Sequence, residues 1–321
     1  MRDHGGNMDE AIRRHGGRPG DWIDLSTGIN RRPYPLPPLS RGTWTALPTR
    51  ADMASLSKSA AMAYGTAASV LPVAGAQAVI QMIPRLTAPG HARVLGPTYN
   101  EHAAALCAAG WTVEEVSSPV ALAGADLAVI VNPNNPDGRT LTPDALLSLS
   151  SAVGRLVVDE SFADPYPECS VARQAGTNGM IVLRSFGKFY GLAGIRLGFV
   201  LGAPGDIERL AAMAGPWPVS GAAIEIGRRA LRDRRWAADT VQRLHDDADR
   251  MDSMAATTGW TLVGGTLLFR LYATPDAVRA QDDLAKAAIW SRAFPYSHTW
   301  LRLGLPGDET EWERLARALR G

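Results

Sequence analysis

Cysteine is nearly absent: only Cys107 and Cys169 occur in 321 residues, and they have no metal-ligand spacing. This argues against a disulfide scaffold and a cysteine-based zinc site, and leaves two buried thiols as the expectation. Charge of one sign is missing too. Lys and Arg number 33 against 32 Asp and Glu, and no like-charge run exceeds the arginine-rich patch Arg232–Arg235. A nucleic-acid or polyanion binder would carry a basic surplus, so neither is expected as a partner. No apolar run is long enough to span a bilayer, and residues 1–30 hold no apolar core of signal-peptide length. A reducing cytoplasm is therefore the expected compartment, with no membrane partner. Internal repeats and low-complexity segments are lacking as well.

What remains is 46% apolar residues in a chain long enough for one large domain and a smaller one. Residues 33–38 (PYPLPP) cannot form regular helix or a central strand, because proline fixes φ and removes a donor. Residues 1–48 read as an arm and linker, partly belonging to the small domain. From there ARVLGP, DLAVIVNP, RLVVDES, MIVLRSF and LGFVLG alternate with helical patterns. Short, continuously apolar strands between helices predict an α/β domain over 49–214, with a mostly parallel sheet covered on both faces. Beyond GPWPVS a helical stretch covers roughly 222–258. WTLVGG, LLFRLY, TWLRLGLP and a final helix from Glu309 then complete a small α+β domain over 215–321.

Four features fall at predicted strand ends, where open α/β sheets place ligands. AGAQAVI (Ala74–Ile80) sets small residues before a helix, which leaves backbone N–H groups for a phosphate, although Gly and Ala there also make ordinary turns. VNPNNPDG (Val131–Gly138) is a rigid strand exit that can aim an amide into a cleft. Asp159 ends the strand in VVDE, as an Asx turn or as the partner of a buried positive charge. In VLRSFGKFYGLAGIRLGF, Lys188 lies in a segment built for burial, with Ser185 three residues before and Arg196 eight after. A lysine tolerates such a place if it is used covalently, and a hydroxyl with a guanidinium suits a phosphate dianion.

Phosphate turn, aromatic, Asn, Asp, Ser-x-x-Lys and Arg follow in order, and in this the chain resembles the aspartate-aminotransferase superfamily of pyridoxal-phosphate enzymes, fold type I. The resemblance implies that Lys188 binds the cofactor covalently and later moves the proton, and that Asp159 pairs with the pyridine nitrogen. It implies Asn135 on the ring oxygen, Tyr99 stacked on the ring, and Gly75, Ala76 and Gln77 with Ser185 and Arg196 around the phosphate. Arg302 in WLRLGLP takes the place of the substrate-carboxylate arginine. Three positions depart from the family pattern. Gly187 stands where many relatives have serine, Phe162 where a tyrosine is common, and Leu47 where a Tyr-Pro pair reaches the neighbouring subunit. These departures bear on how tightly the cofactor is held.

HGGN (His4–Asn7) followed by DLSTGINRRPYP looks like the threonine-phosphate decarboxylases of cobalamin biosynthesis, close relatives of histidinol-phosphate aminotransferases. The resemblance implies release of carbon dioxide from O-phospho-L-threonine to give 1-amino-2-propanol phosphate, by a homodimer. His4, Gly28, Asn135, Arg292 and Arg302 are then the expected substrate contacts. His4 would otherwise be a solvated terminal residue and Arg292 a surface arginine. The alternative is an aminotransferase for a phosphorylated or aromatic amino acid such as histidinol phosphate, since the two reactions differ in which substrate bond is held perpendicular to the cofactor ring. A non-catalytic scaffold on the same fold is the third reading, against which Asp159, Lys188 and Arg196 stand. No metal is expected.

Overall fold

A computed structural model describes residues 4–320. Two compact units emerge from the chain. The larger comprises Tyr34–Asn135 and Arg139–Arg234; the smaller gathers the residues up to Pro33, the loop Pro136–Gly138 and the segment from Arg235 on. The boundaries therefore fall at 33 and 234, where the sequence suggests 48 and 214. Local packing explains both shifts. The Tyr34 N–H donates to the Tyr190 carbonyl at 2.9 Å, which ties the proline-rich stretch to the larger unit. Helix Gly221–Ala230 lies on helix Arg50–Tyr64, and a Cβ at Gly227 would come 2.6 Å from Leu197 and 3.1 Å from Leu56.

The larger unit is built on seven strands in the order Ser69–Val73, Gly198–Gly202, Ile181–Ser185, Leu156–Asp159, Leu127–Val131, His91–Leu95, Thr112–Val116. Six run parallel, and Gly198–Gly202 alone runs against its neighbours. The three central aliphatic runs are almost wholly buried, as a sheet covered on both faces requires. The two strands that the apolar pattern passes over are the edges. Ser69–Val73 carries Pro72, which an edge tolerates, and Thr112–Val116 (TVEEV) is largely exposed. Val79, Ile80, Ile83, Leu106 and Leu210 from the covering helices, and Trp111 just before strand Thr112–Val116, pack with Val94, Val129, Val157 and Leu183 of the sheet in one core. At about 25 cal/mol per Å² of apolar area, that burial is what holds the strand ends in place.

The smaller unit has a four-stranded antiparallel sheet, Arg292–Phe294, Ser297–Gly304, Phe269–Ala273 and Thr261–Thr266 in that order. Ile23–Asp24 pairs in parallel with Ile289–Trp290. Ala11, Trp22, Ala285 and Trp290 form a second small core where helix Met8–His15 meets helix Ala277–Lys286. The expected helix over 222–258 is two helices, Gly221–Ala230 and Arg234–Ala256, and the last helix is Glu309–Arg320. Neither cysteine is fully buried, contrary to expectation. Cys107 is exposed on helix Glu101–Ala108, whose buried face is supplied by Ala105 and Leu106, and Cys169 is half-buried in a short turn. Among the described residues no helix is long and apolar enough to cross a membrane, and no cluster of His, Cys, Asp and Glu could hold a metal.

Candidate active site

Parallel strands end on one edge of a sheet, and the larger unit puts its chemistry there. The ends of Ser69–Val73, His91–Leu95, Leu127–Val131, Leu156–Asp159 and Ile181–Ser185 lead to Gly75, Tyr99, Asn135, Asp159 and Ser185. The antiparallel strand starts at the same edge, directly after Arg196. Together with Ala76, Gln77, Ser161, Phe162, Gly187 and Lys188 these residues line a cavity of about 150 Å³. Every cofactor residue expected from the sequence thus faces one space. Lys188 is only half-buried, because it opens onto the cavity while Phe186, Gly187 and Phe189 beside it are buried.

The turn at Gly75 is shaped by backbone geometry. Gly75 has φ 78°, caps helix Ala76–Met82, and a Cβ there would lie 2.7 Å from the Arg196 Nη2. Arg196 itself adopts φ 53° and ψ 54°, a left-handed conformation unusual for a side-chain-bearing residue, and its Nη1 donates to the Ala193 carbonyl at 3.2 Å. The guanidinium is thereby laid against the turn. Gly198 lets its strand pass the same place, since a Cβ would press on the Ala76 nitrogen and the Gly75 carbonyl carbon. Gly187 has no room for the serine of other family members: a Cβ would come 2.8 Å from the Ala193 Cα. The Gly75 N–H is spent on the Val73 carbonyl at 2.7 Å, so it is the start of helix Ala76–Met82, with a guanidinium and the Ser185 hydroxyl around a cradle that glycines keep open, that fits a phosphate.

Asp159 uses its two oxygens differently. Oδ1 accepts from the Ser161 N–H at 3.0 Å and from the Ser161 Oγ at 2.5 Å, the expected Asx turn. Oδ2 lies 2.8 Å from the His102 Nε2, which must donate because a carboxylate only accepts. Burial alone pushes this carboxyl up, yet the hydrogen bonds from His102 and Ser161 outweigh it and hold Asp159 below the usual carboxylate range. A buried anion with lone-pair capacity left over suits the protonated nitrogen of a pyridine ring. His102 and Ser161 escaped the sequence reading. His102 stands three residues beyond Tyr99 in GPTYNEH, in the first turn of helix Glu101–Ala108, and its ring meets the Tyr99 ring edge-on at 6.2 Å.

The loop VNPNNPDG assigns its three asparagines distinct tasks. Asn132 bonds the Leu141 backbone and the Cys169 carbonyl, and Asn134 bonds the Pro97 carbonyl and the Thr98 hydroxyl. Only Asn135 lines the cavity. Arg139 Nη2 donates to the Gly96 carbonyl at 2.7 Å, fastening the loop that presents Tyr99. Behind the site Arg184 pairs with Glu160 at 2.8 Å and with Asp164 at 2.7 Å, the three side chains no more than 7% exposed. Phe162 puts its ring centroid 5.6 Å from the Lys188 Nζ and offers no hydroxyl.

The expected substrate residues other than Asn135 belong to the smaller unit. Arg292 and Arg302 are direct cross-strand partners, so two guanidinium-bearing residues share one face of that sheet. Arg302 is 2% exposed, and its Nη2 donates to the Ser26 carbonyl at 2.6 Å. His4 is exposed; two residues on, the Gly6 N–H donates to the Ser26 Oγ at 2.7 Å. Any side chain at Gly5 would strike the Ser26 carbonyl, so HGGN is fastened to the residue that also receives Arg302. Gly28 is buried one residue beyond Thr27, whose carbonyl abuts Gly304.

Fold and site together define an α/β scaffold whose cavity lining fits a phosphorylated pyridine cofactor. The sequence profile of the aminotransferase class I and II family matches residues 39–319, and the chain belongs to that family. It is 42% identical to a threonine-phosphate decarboxylase of Pseudomonas aeruginosa, covering 100% of this chain and 98% of the relative. A threonine-phosphate decarboxylase of a Sinorhizobium species is 44% identical over 98% of this chain and 97% of its own. Among solved structures, the histidinol-phosphate aminotransferase of Sinorhizobium meliloti in complex with pyridoxal-5′-phosphate superposes with a TM-score of 0.83 at 18% identity, covering 97% and 94% of the two chains.

Proposed function

We propose that this chain is a pyridoxal-phosphate-dependent threonine-phosphate decarboxylase, converting O-phospho-L-threonine to carbon dioxide and 1-amino-2-propanol phosphate in cobalamin biosynthesis. The observation that carries the reading is the convergence of Gly75, Ala76, Gln77, Tyr99, Asn135, Asp159, Ser185, Lys188 and Arg196 on one cavity, in a chain 42% identical throughout to a protein of that name. When bound, the cofactor supplies an electron sink for the pair left behind as the Cα–carboxylate bond breaks. Asp159, kept ionised by His102 and Ser161, holds the proton on the pyridine nitrogen. Asn135 positions the ring oxygen, Tyr99 covers the ring face, and the Gly75–Gln77 backbone with Ser185 and Arg196 holds the phosphate. Lys188 anchors the cofactor and returns a proton to Cα.

The substrate is more anionic than an ordinary amino acid, and Arg302 with Arg292 and His4 are its proposed partners, alongside Gly28. Arg292 and Arg302 stand directly opposite each other on neighbouring strands, and two guanidinium groups so placed suit a doubly anionic ligand. We also propose a cytoplasmic homodimer. Leu36, Trp44, Leu47 and Trp217 are 54–68% exposed in the larger unit, more large apolar surface than a lone subunit leaves in water without a use.

The test is to load purified protein with pyridoxal phosphate, add O-phospho-L-threonine without a keto acid, and measure carbon dioxide and aminopropanol phosphate. Catalytic release of both is expected, and Arg302→Lys should raise KM at least tenfold. Accumulation of pyridoxamine phosphate without carbon dioxide would mean an aminotransferase instead.

A further inference from the structure

Glu101 is buried at 7% exposure in the first turn of helix Glu101–Ala108, and the chemistry so far gives it no task. Its Oε2 accepts from the Gln77 Nε2 at 2.9 Å. The other end of that amide, Gln77 Oε1, accepts from the Tyr99 hydroxyl at 3.2 Å. Direction in this chain is dictated from the acid end. Glu101 Oε2 is the acceptor at one end, so Gln77 turns its NH₂ toward Glu101 and its oxygen toward the Tyr99 hydroxyl. The phenol proton is then committed to Gln77, and toward anything in the cavity the Tyr99 oxygen can only accept.

A second hydroxyl of the cavity is committed in the same way, because the Ser161 proton goes to Asp159. A third is missing, since position 162 is phenylalanine. Ser185 stands with Arg196 at the phosphate cradle. Among the side chains lining the cavity this leaves the Lys188 ammonium as the proton source. Resting on the decarboxylase reading, we propose that Glu101 and Gln77 are positioning residues that keep Tyr99 from acting as a proton donor, so that the proton reaching the substrate comes from Lys188 alone.

Single sourcing matters for the outcome. Loss of carbon dioxide would leave an electron pair at the substrate Cα, for which the cofactor, when bound, would supply a sink that can itself be protonated. A proton from Lys188 to Cα would form the new C–H bond and return the lysine to a neutral amine, which would then displace the product nitrogen from the cofactor, restoring the lysine–cofactor bond and releasing aminopropanol phosphate. A proton on the cofactor instead, followed by addition of water, would give a phosphorylated aldehyde and pyridoxamine phosphate, a dead end.

The experiment compares wild type, Glu101→Gln, Tyr99→Phe and the double variant, each loaded with pyridoxal phosphate and given O-phospho-L-threonine. The readout is carbon dioxide released per pyridoxamine phosphate formed. Glu101→Gln lets the Gln77 amide turn over and frees the phenol proton, so the ratio should fall about tenfold, and adding Glu101→Gln to Tyr99→Phe should change nothing further. An equal fall in the Tyr99→Phe background would overturn the proposal. A readout independent of the reaction is the tyrosine Fermi doublet in the Raman difference between wild type and Tyr99→Phe without substrate. A donor phenol is expected, moving toward acceptor character when the same difference is taken in the Glu101→Gln background; an acceptor doublet in wild type refutes the inference. If phosphothreonine yields no carbon dioxide, the decarboxylase reading fails while the Raman result still decides the direction of the chain.

Discussion

Replacing Gly187 by serine supplies the hydroxyl that many family members carry before the lysine, and sequence comparison alone would expect tighter cofactor binding. The structure predicts the reverse. The new Cβ would lie 2.8 Å from the Ala193 Cα and 3.3 Å from its nitrogen and Cβ. Carbon atoms rest at about 3.5–4.0 Å, so the turn must retreat by roughly 0.7 Å or more. What retreats is backbone, the turn Ala193–Ile195 that ends at Arg196 in its left-handed conformation. Overpacking of this kind costs about 1–3 kcal/mol. If it is taken from the Arg196 contact, pyridoxal phosphate should bind about 5- to 150-fold more weakly. Equilibrium dialysis of Gly187→Ser and Gly187→Ala, with melting of both apoproteins, measures the two effects. Serine binding more tightly than wild type, with an unchanged melting temperature, would refute the reasoning.

Other consequences are as concrete. Because the Asp159 carboxyl is held below its unfolded value, its ionised form stabilises the fold at pH above the unfolded pKa, about 3.9, and that contribution is lost as pH falls through the lower folded value. The difference in urea midpoint between wild type and Asp159→Asn should be constant from neutral pH down to about pH 5 and shrink below about pH 4. Arg184→Leu leaves Glu160 and Asp164 buried without their cation and should destabilise the protein by about 3–5 kcal/mol, read from chemical denaturation. Trp44→Glu combined with Leu47→Glu should convert a dimer to a monomer in sedimentation velocity.

The central strands were legible because continuous aliphatic runs bounded by Gly, Pro, Asp and Asn admit few other readings. The edge strands were not, since Pro72 and the paired glutamates of TVEEV mask a strand that has only one neighbour. The cofactor pocket could be read residue by residue because its groups follow strand ends in a fixed order. Its supporting polar groups could not: Ser161, His102 and Glu101 acquire meaning only through partners that the fold supplies, 57 positions apart in the case of His102 and Asp159. The boundary at 234 was hidden for a related reason. Gly227 looks like an ordinary helix glycine until Leu56 and Leu197 are found pressed against it.

The pairing of Ile23–Asp24 with Ile289–Trp290 carries a consequence for biosynthesis. During vectorial synthesis the early strand leaves the ribosome with its partner unmade, and Trp22 waits equally long for Trp290. Every strand of the seven-stranded sheet, by contrast, has been made once Gly202 emerges. The larger unit is therefore free to fold first around its own core, while residues 8–24 remain an unsatisfied, Trp-bearing lead that a chaperone can bind. A ribosome stalled after residue 234 should hold a protease-resistant larger unit beside a cleavable N-terminal segment.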